Sequence, residues 1–216
     1  MSARTEIGDN SLMTTRRNRA ILGVAAVCAA LAGFWLAREL DSSVPDLASG
    51  TWLPRPKPIA DFPLTDHLGR PFTAAALQGR PSLVFFGFTH CPDVCPSTLV
   101  KLAQLKRVGA LPGVQVLFVS VDPQRDTPTA LGLYVHAFDP DFIGLTAEPS
   151  AIKRIAREFG VAVNRVDLPG GDYTMDHSAV VFLLDRRGRM VGVFTPPFDV
   201  ERMAQDLRRA ARYLNG

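Results

Sequence analysis

The feature that most constrains this chain is a short apolar run, Leu83-Val84-Phe85-Phe86-Gly87-Phe88, that feeds into Cys91-Pro92-Asp93-Val94-Cys95-Pro96. A run of that length, entered from Gly79-Arg80-Pro81, reads as a buried strand rather than a helix. The fixed φ of Pro96 and its missing N–H suit the first position of a following helix, which makes Cys95 the expected cap residue. Two thiols therefore stand where a strand ends and a helix begins. That end of a helix favours anions, and so favours thiolates, the form that attacks disulfides and binds metals.

The rest of the sequence alternates in the same way. Asp61–Asp66 and Arg70–Thr73 flank His67-Leu68-Gly69 as a hairpin. Leu99, Leu102, Ala103 and Leu105 recur at helical spacing up to Gly109, and Val114–Val121 is a second strong strand. Thr127 is the expected cap of a helix opened by Pro128 and running to about Phe138. A short strand over 142–145 precedes a helix opened by Pro149 and closed by Gly160, with Ile152, Ile155, Ala156 and Phe159 on one face. Residues 161–176 read as an irregular excursion that turns at Pro169-Gly170-Gly171. Ser178–Leu184 is a third strand, returned by Asp185-Arg186-Arg187-Gly188 into Met190–Phe194. Asp199 can cap a final amphipathic helix with Met203, Leu207, Ala210, Ala211 and Leu214 inward.

This order predicts an α/β three-layer sandwich that resembles the thioredoxin fold with an inserted strand–helix unit. In such a sheet the strand over 179–184 lies antiparallel beside 83–88. His177 is then expected within reach of Cys91 and Cys95.

Upstream, residues 1–19 read as a polar cytoplasmic tail, and Ala20–Ala37 lack any charged side chain, which predicts a transmembrane anchor at the short end of the spanning range. A cleaved signal peptide is the competing reading, but neither Leu36-Ala37-Arg38 nor Ala48-Ser49-Gly50 makes a convincing cleavage site. Val27 argues against a lipid anchor on Cys28. Arg16, Arg17 and Arg19 place the N-terminus in the cytoplasm, and hence the main domain in a periplasm-like compartment across a bacterial inner membrane. Residues 38–59, with Pro54-Arg55-Pro56-Lys57-Pro58, read as an extended linker, which leaves 60–216 as the globular domain. The first 38 residues hold five arginines against Glu6 and Asp9, a surplus equal to the net +3 of the whole 216-residue chain. The domain is therefore neutral and carries no electrostatic footprint for nucleic acid.

The spacing C-x-x-x-C can close a plain disulfide, or leave two sulfurs facing one ion. With His177 added, two thiolates and one imidazole make a small soft set that suits Cu(I), or Cu(II) with a further N, O or water donor. Zinc would need a fourth ligand to close a structural site. A metal-independent thiol–disulfide oxidoreductase fits the same dithiol. Phe88-Thr89-His90-Cys91-Pro92 also bears a loose likeness to the cysteine surroundings of peroxiredoxins, although a partner thiol four residues on is not the plan of those enzymes.

Phe86-Gly87-Phe88-Thr89-His90-Cys91-Pro92-Asp93-Val94-Cys95-Pro96 is similar to the signature of the Sco/SenC family, copper chaperones of cytochrome c oxidase assembly. Val121-Asp122-Pro123-Gln124-Arg125-Asp126-Thr127-Pro128, Gly144-Leu145-Thr146 and Tyr173-Thr174-Met175-Asp176-His177-Ser178 extend the resemblance over about 62–214. It implies copper bound by Cys91, Cys95 and His177, with Asp176 beside them orienting His177 or interacting with the metal. It also implies delivery to the dinuclear copper centre of oxidase subunit II. A copper donor, a thiol reductant and an accompanying redox role for the Cys91–Cys95 dithiol would go with that delivery. Asp93 and the Asp122–Asp126 loop are expected to shape the site or dock partners, or to serve as caps and turns, His67 and His136 to lie on the surface, and His90 to point away from Cys91. Met175 is the weakest donor considered.

Overall fold

The computed structural model describes residues 22–36 and 45–215. The chain falls into two units, Met1–Val44 and Pro45–Gly216. In the first, residues 22–36 form helix α1, exposed along its whole length. The ends of the anchor expected over 20–37, and the tail expected over 1–19, lie outside the described residues. No helix among the described residues is long and apolar enough to cross a membrane.

The second unit is built on one eight-stranded sheet. Its strands in chain order are β1 (Gly50–Pro58), β2 (Leu64–Asp66), β3 (Pro71–Phe72), β4 (Ser82–Gly87), β5 (Gln115–Ser120), β6 (Ile143–Thr146), β9 (Val181–Leu184) and β10 (Arg189–Phe194). β7 (Val163–Asp167) and β8 (Tyr173–His177) pair only with each other, as a separate antiparallel ribbon. The spatial order in the sheet is β1-β10-β9-β4-β5-β6-β2-β3. Helices α2 (Val94–Arg107), α3 (Pro128–His136), α4 (Pro149–Phe159) and α5 (Val200–Ala210) connect or follow the strands.

β4 and β5 are buried at every position, as expected of parallel strands covered on both faces. Successive side chains on β4 feed the two layers. Phe85 meets Phe118 at 6.1 Å, and Phe118 meets Tyr134 of α3 at 5.4 Å. Phe86 points the other way, against Phe159 of α4 at 5.2 Å. α5 packs on α2. This is the three-layer arrangement expected from the alternation. Thr127 caps α3 by accepting the Ala130 N–H, Asp199 caps α5 through the Arg202 N–H, and Gly160 ends α4 at φ 73°.

Three expectations change. Residues 50–58, inside the stretch read as a spacer, form the edge strand β1 on β10. Its pairing is interrupted between Trp52 and Lys57, where Pro54 and Pro56 lie, and an edge is where a sheet tolerates residues without an N–H. The excursion over 161–176 is the regular ribbon β7–β8, not an irregular loop. β7 is exposed at four of its five positions and β8 is half-buried at four of five, so neither carries the buried apolar run that marks the strands of the main sheet. Finally, α2 starts two residues earlier than Pro96 suggests: Asp93 holds the cap position, without a side-chain bond to the helix, and Cys95 is already inside the first turn.

Candidate metal centre

β9 runs antiparallel to β4, with Phe85 opposite Val181, so the segment entering β9 passes the exit of β4. The cysteine loop leaves β4 at that point. His177 is the last residue of β8, not the first of β9, and the chain bends through Ser178–Val180 to join the sheet. The Sγ atoms of Cys91 and Cys95 and a ring nitrogen of His177 all lie within 4.8 Å of one another. Cys95 Sγ is 3.5 Å from His177 Nε2, and the Cys95 N–H points to Cys91 Sγ at 3.4 Å. Both cysteines are free.

The two thiols differ. Cys91 is half-buried, whereas Cys95 is fully buried beneath β4. A Cβ at Gly87 would stand 2.9 Å from Cys95 Sγ and 2.6 Å from the Phe118 ring, so this strand position requires a glycine. Burial pushes the Cys95 thiol well above its ordinary range, with Cys91 adding to the effect. The helix start favours a thiolate here, but desolvation outweighs it.

His177 is fixed on its other side. Its Nδ1 lies 3.2 Å from the Ser178 carbonyl, which can only accept, so Nδ1 carries the proton and Nε2 is left with its lone pair toward Cys95. Phe85 and Phe88 each approach the ring edge-on, with centroids 6.1 and 6.0 Å away. Burial holds the imidazole below the ordinary histidine range, against the opposing pull of the Ser178 carbonyl and the Asp176 charge. A neutral ring with a free nitrogen is a metal ligand in waiting.

Asp176, expected to orient this ring, is exposed, and alternation along β8 puts it on the opposite face of the ribbon. The Ser178 carbonyl takes the orienting part, while Asp176 reaches His177 only through its charge. Met175 shares the face of His177 and packs against the core. His90 is exposed, its Nδ1 3.0 Å from Thr89 Oγ1, and it stays outside the donor cluster as expected. His136 is exposed, but His67 is half-buried: its Nδ1 accepts the Gly144 N–H at 3.2 Å, and its ring meets His136 at 4.7 Å.

The Asp122–Asp126 loop frames the site. Asp126 is fully buried and accepts three hydrogen bonds, from the Thr89 N–H at 3.1 Å, the Thr89 hydroxyl at 2.6 Å and the Ser120 hydroxyl at 2.6 Å. Burial still raises its carboxyl above the usual range, outweighing those bonds. Asp122 accepts from the Tyr173 hydroxyl at 2.9 Å and pairs with Arg125. Sequence reasoning missed Tyr134, whose buried hydroxyl has no hydrogen-bond partner among the described residues and whose proton is held more tightly by burial and by the nearby thiols. Nothing in its spacing distinguishes it from a core aromatic of α3.

As a donor set, two sulfurs and one imidazole nitrogen are soft and few. Among the described residues no fourth His, Cys, Asp or Glu joins them, which disfavours a closed zinc site and suits copper.

A protein-family model described as SCO1/SenC matches residues 53–212. The mitochondrial SCO2 homolog of Bos taurus is 36% identical over 196 residues, an alignment covering 88% of this chain and 74% of that protein. Among solved structures, that of Arabidopsis thaliana ScoI with copper bound superposes with a TM-score of 0.68 at 34% identity, covering 71% of this chain and 98% of that one. Bradyrhizobium japonicum ScoI, also solved with copper bound, gives a TM-score of 0.64 at 41% identity, covering 70% and 98%.

Proposed function

Because this chain belongs to the SCO1/SenC family, we propose that it is a copper metallochaperone of cytochrome c oxidase assembly, holding its cargo on Cys91, Cys95 and His177. The observation that carries the reading is the convergence of those three donor atoms within 4.8 Å. His177 offers Nε2 without first losing a proton. Cys95 must lose one, and copper taking its place is what offsets the cost of a buried thiolate, so loading releases protons. Phe85 and Phe88 both pack against the ring, and Cys91, the more exposed sulfur, is the donor a receiving protein reaches first.

The finer parts of the proposal follow the topology. Residues 20–37 anchor the chain in a bacterial inner membrane with residues 1–19 cytoplasmic, and the domain faces the periplasm. There it takes copper from a donor and passes it to the dinuclear copper centre of oxidase subunit II. A thiol reductant keeps the dithiol open between rounds. Asp176, exposed beside His177, is a charge that tunes the site from outside.

A second reading, a thiol–disulfide reductase, is favoured by one observation, the proximity of two free sulfurs of unequal exposure. Cys91 would attack a target disulfide to form a mixed disulfide, and Cys95 would then displace the target. The target gains two electrons and two protons, and this chain is left with a Cys91–Cys95 bond.

His177→Ala separates the two. In the reduced full-length protein in detergent, Cu(I) affinity measured by competition with a chromophoric chelator should fall at least about tenfold, while the rate at which the dithiol reduces a model disulfide stays within about twofold. Unchanged copper affinity would remove His177 from the ligand set and leave the reductase reading standing.

A further inference from the structure

The ribbon that carries His177 forms no ladder with the main sheet, so its placement over the cysteines rests on other bonds. At its foot, the Ser178 N–H donates to the Ala162 carbonyl at 3.2 Å and the Ala162 N–H to the Ser178 hydroxyl at 3.2 Å. At the opposite end, Tyr173 is engaged from several directions. Its hydroxyl donates to Asp122 at 2.9 Å, and Arg125 Nη1 donates to its carbonyl at 3.0 Å. The Arg125 guanidinium lies 3.8 Å from its ring centroid, and so does that of Arg165. Two guanidinium groups at that distance must take opposite faces of the ring, each by a cation–π contact. Arg125 also reaches Asp172 at 3.4 Å, and its ion pair with the almost fully buried Asp122 fixes its own position.

The same loop grips the other half of the site. Through Asp126 it holds Thr89, two residues before Cys91, by both the backbone N–H and the hydroxyl. Residues 122–126 thus bond to the carrier of the thiols on one side and to the carrier of the imidazole on the other. No other described loop makes side-chain hydrogen bonds to both.

We propose that Arg125, braced by Asp122, is a positioning residue for His177: it clamps the ribbon through Tyr173 to the loop that anchors the cysteine segment, and so sets the distance between imidazole and dithiol. The proposal rests on the copper reading above. It acts through His177 alone, because Arg125 touches none of the three donors. Once the imidazole is gone, the clamp has nothing left to position.

That gives a test by double-mutant cycle. Cu(I) affinity is measured by chelator competition on the reduced full-length chain in detergent, for Arg125→Ala, His177→Ala and the pair, with Tyr173→Phe and Arg125→Lys alongside. Arg125→Ala should weaken binding about tenfold or more, as supporting groups around a metal ligand do, and should cause no further loss on the His177→Ala background. Tyr173→Phe, which removes one hydroxyl and keeps the ring between its two guanidinium groups, should give a smaller loss. Lysine at 125 should not restore wild-type binding, since it cannot both stack and fork its hydrogen bonds. If Arg125→Ala does not fold, Tyr173→Phe in the same cycle carries the test. Undiminished affinity in both variants, or losses that add fully in the double variant, would overturn the clamp. Undiminished affinity in His177→Ala alone would instead overturn the ligand assignment beneath it.

Discussion

Cys95 and His177 meet at 3.5 Å, yet they come from parts of the molecule made very differently. Cys95 lies in the first turn of α2, under a fully buried β4, among Phe85, Phe118 and Gly87. His177 ends a ribbon with no fully buried position, whose only ladder among the described residues is internal. One donor is held by packing, which is costly to disturb anywhere nearby. The other is held by a few hydrogen bonds, a stacked tyrosine and the lighter packing of Val163 and Met175 against the core. A site that must both keep and release an ion benefits from having one firmly seated sulfur and one ligand on a separable element.

From that contrast, damage on the β4 side should appear mainly as lost stability, and damage on the ribbon as lost copper with the fold intact. The largest effect is expected for Phe85→Ala. Its ring is fully buried and meets both Phe118 and His177, so urea unfolding of the metal-free protein should lose about 3–5 kcal/mol. On the ribbon, Val166→Ala, at 43% exposure, should stay within about 0.5 kcal/mol of wild type in the same experiment.

Gly87→Ala comes next. The added methyl would overlap the Phe118 ring and press on Cys95 Sγ, and should cost about 1–3 kcal/mol. It should also lower Cu(I) affinity by displacing the sulfur. A Gly87→Ala protein as stable as wild type would mean that the β4 side yields more readily than its packing implies.

The smallest effect is on pH dependence, and it too belongs to the β4 side. Burial raises the Asp126 carboxyl, so the folded protein holds that proton at pH values where the unfolded chain has released it. Its contribution to stability is therefore full below the ordinary value of 3.8 and is lost as pH rises through the folded value. Asp126→Asn should flatten that decline in urea midpoints measured from pH 3.5 upward, about half a unit at a time. An unchanged slope would assign the decline to other groups.

The β4 side was also the side the sequence made legible. A continuous apolar run, the Thr127-Pro128 and Asp199 caps and the Gly160 stop are local signals with local causes, and each stands where it was expected. The nearness of His177 followed from topology, which fixes which strand ends are neighbours. What stayed hidden was non-local or half-exposed. The ribbon has no fully buried position, β1 is disguised by its prolines, and nothing near Arg125 in the sequence announces Tyr173. The Pro96 signal misled about Cys95 because the helix begins before the proline, without a side-chain cap at Asp93.

The disguise of β1 carries its own consequence. Three of its nine positions, Pro54, Pro56 and Pro58, have no N–H to offer, and Arg55 and Lys57 put charge among them. At the far edge β3 is only two residues long. A foreign segment seeking to extend this sheet finds few donors on one border and almost no length on the other. A chain that exposes hydrophobic strands before it folds is thereby guarded, once folded, against stacking edge to edge into fibrils.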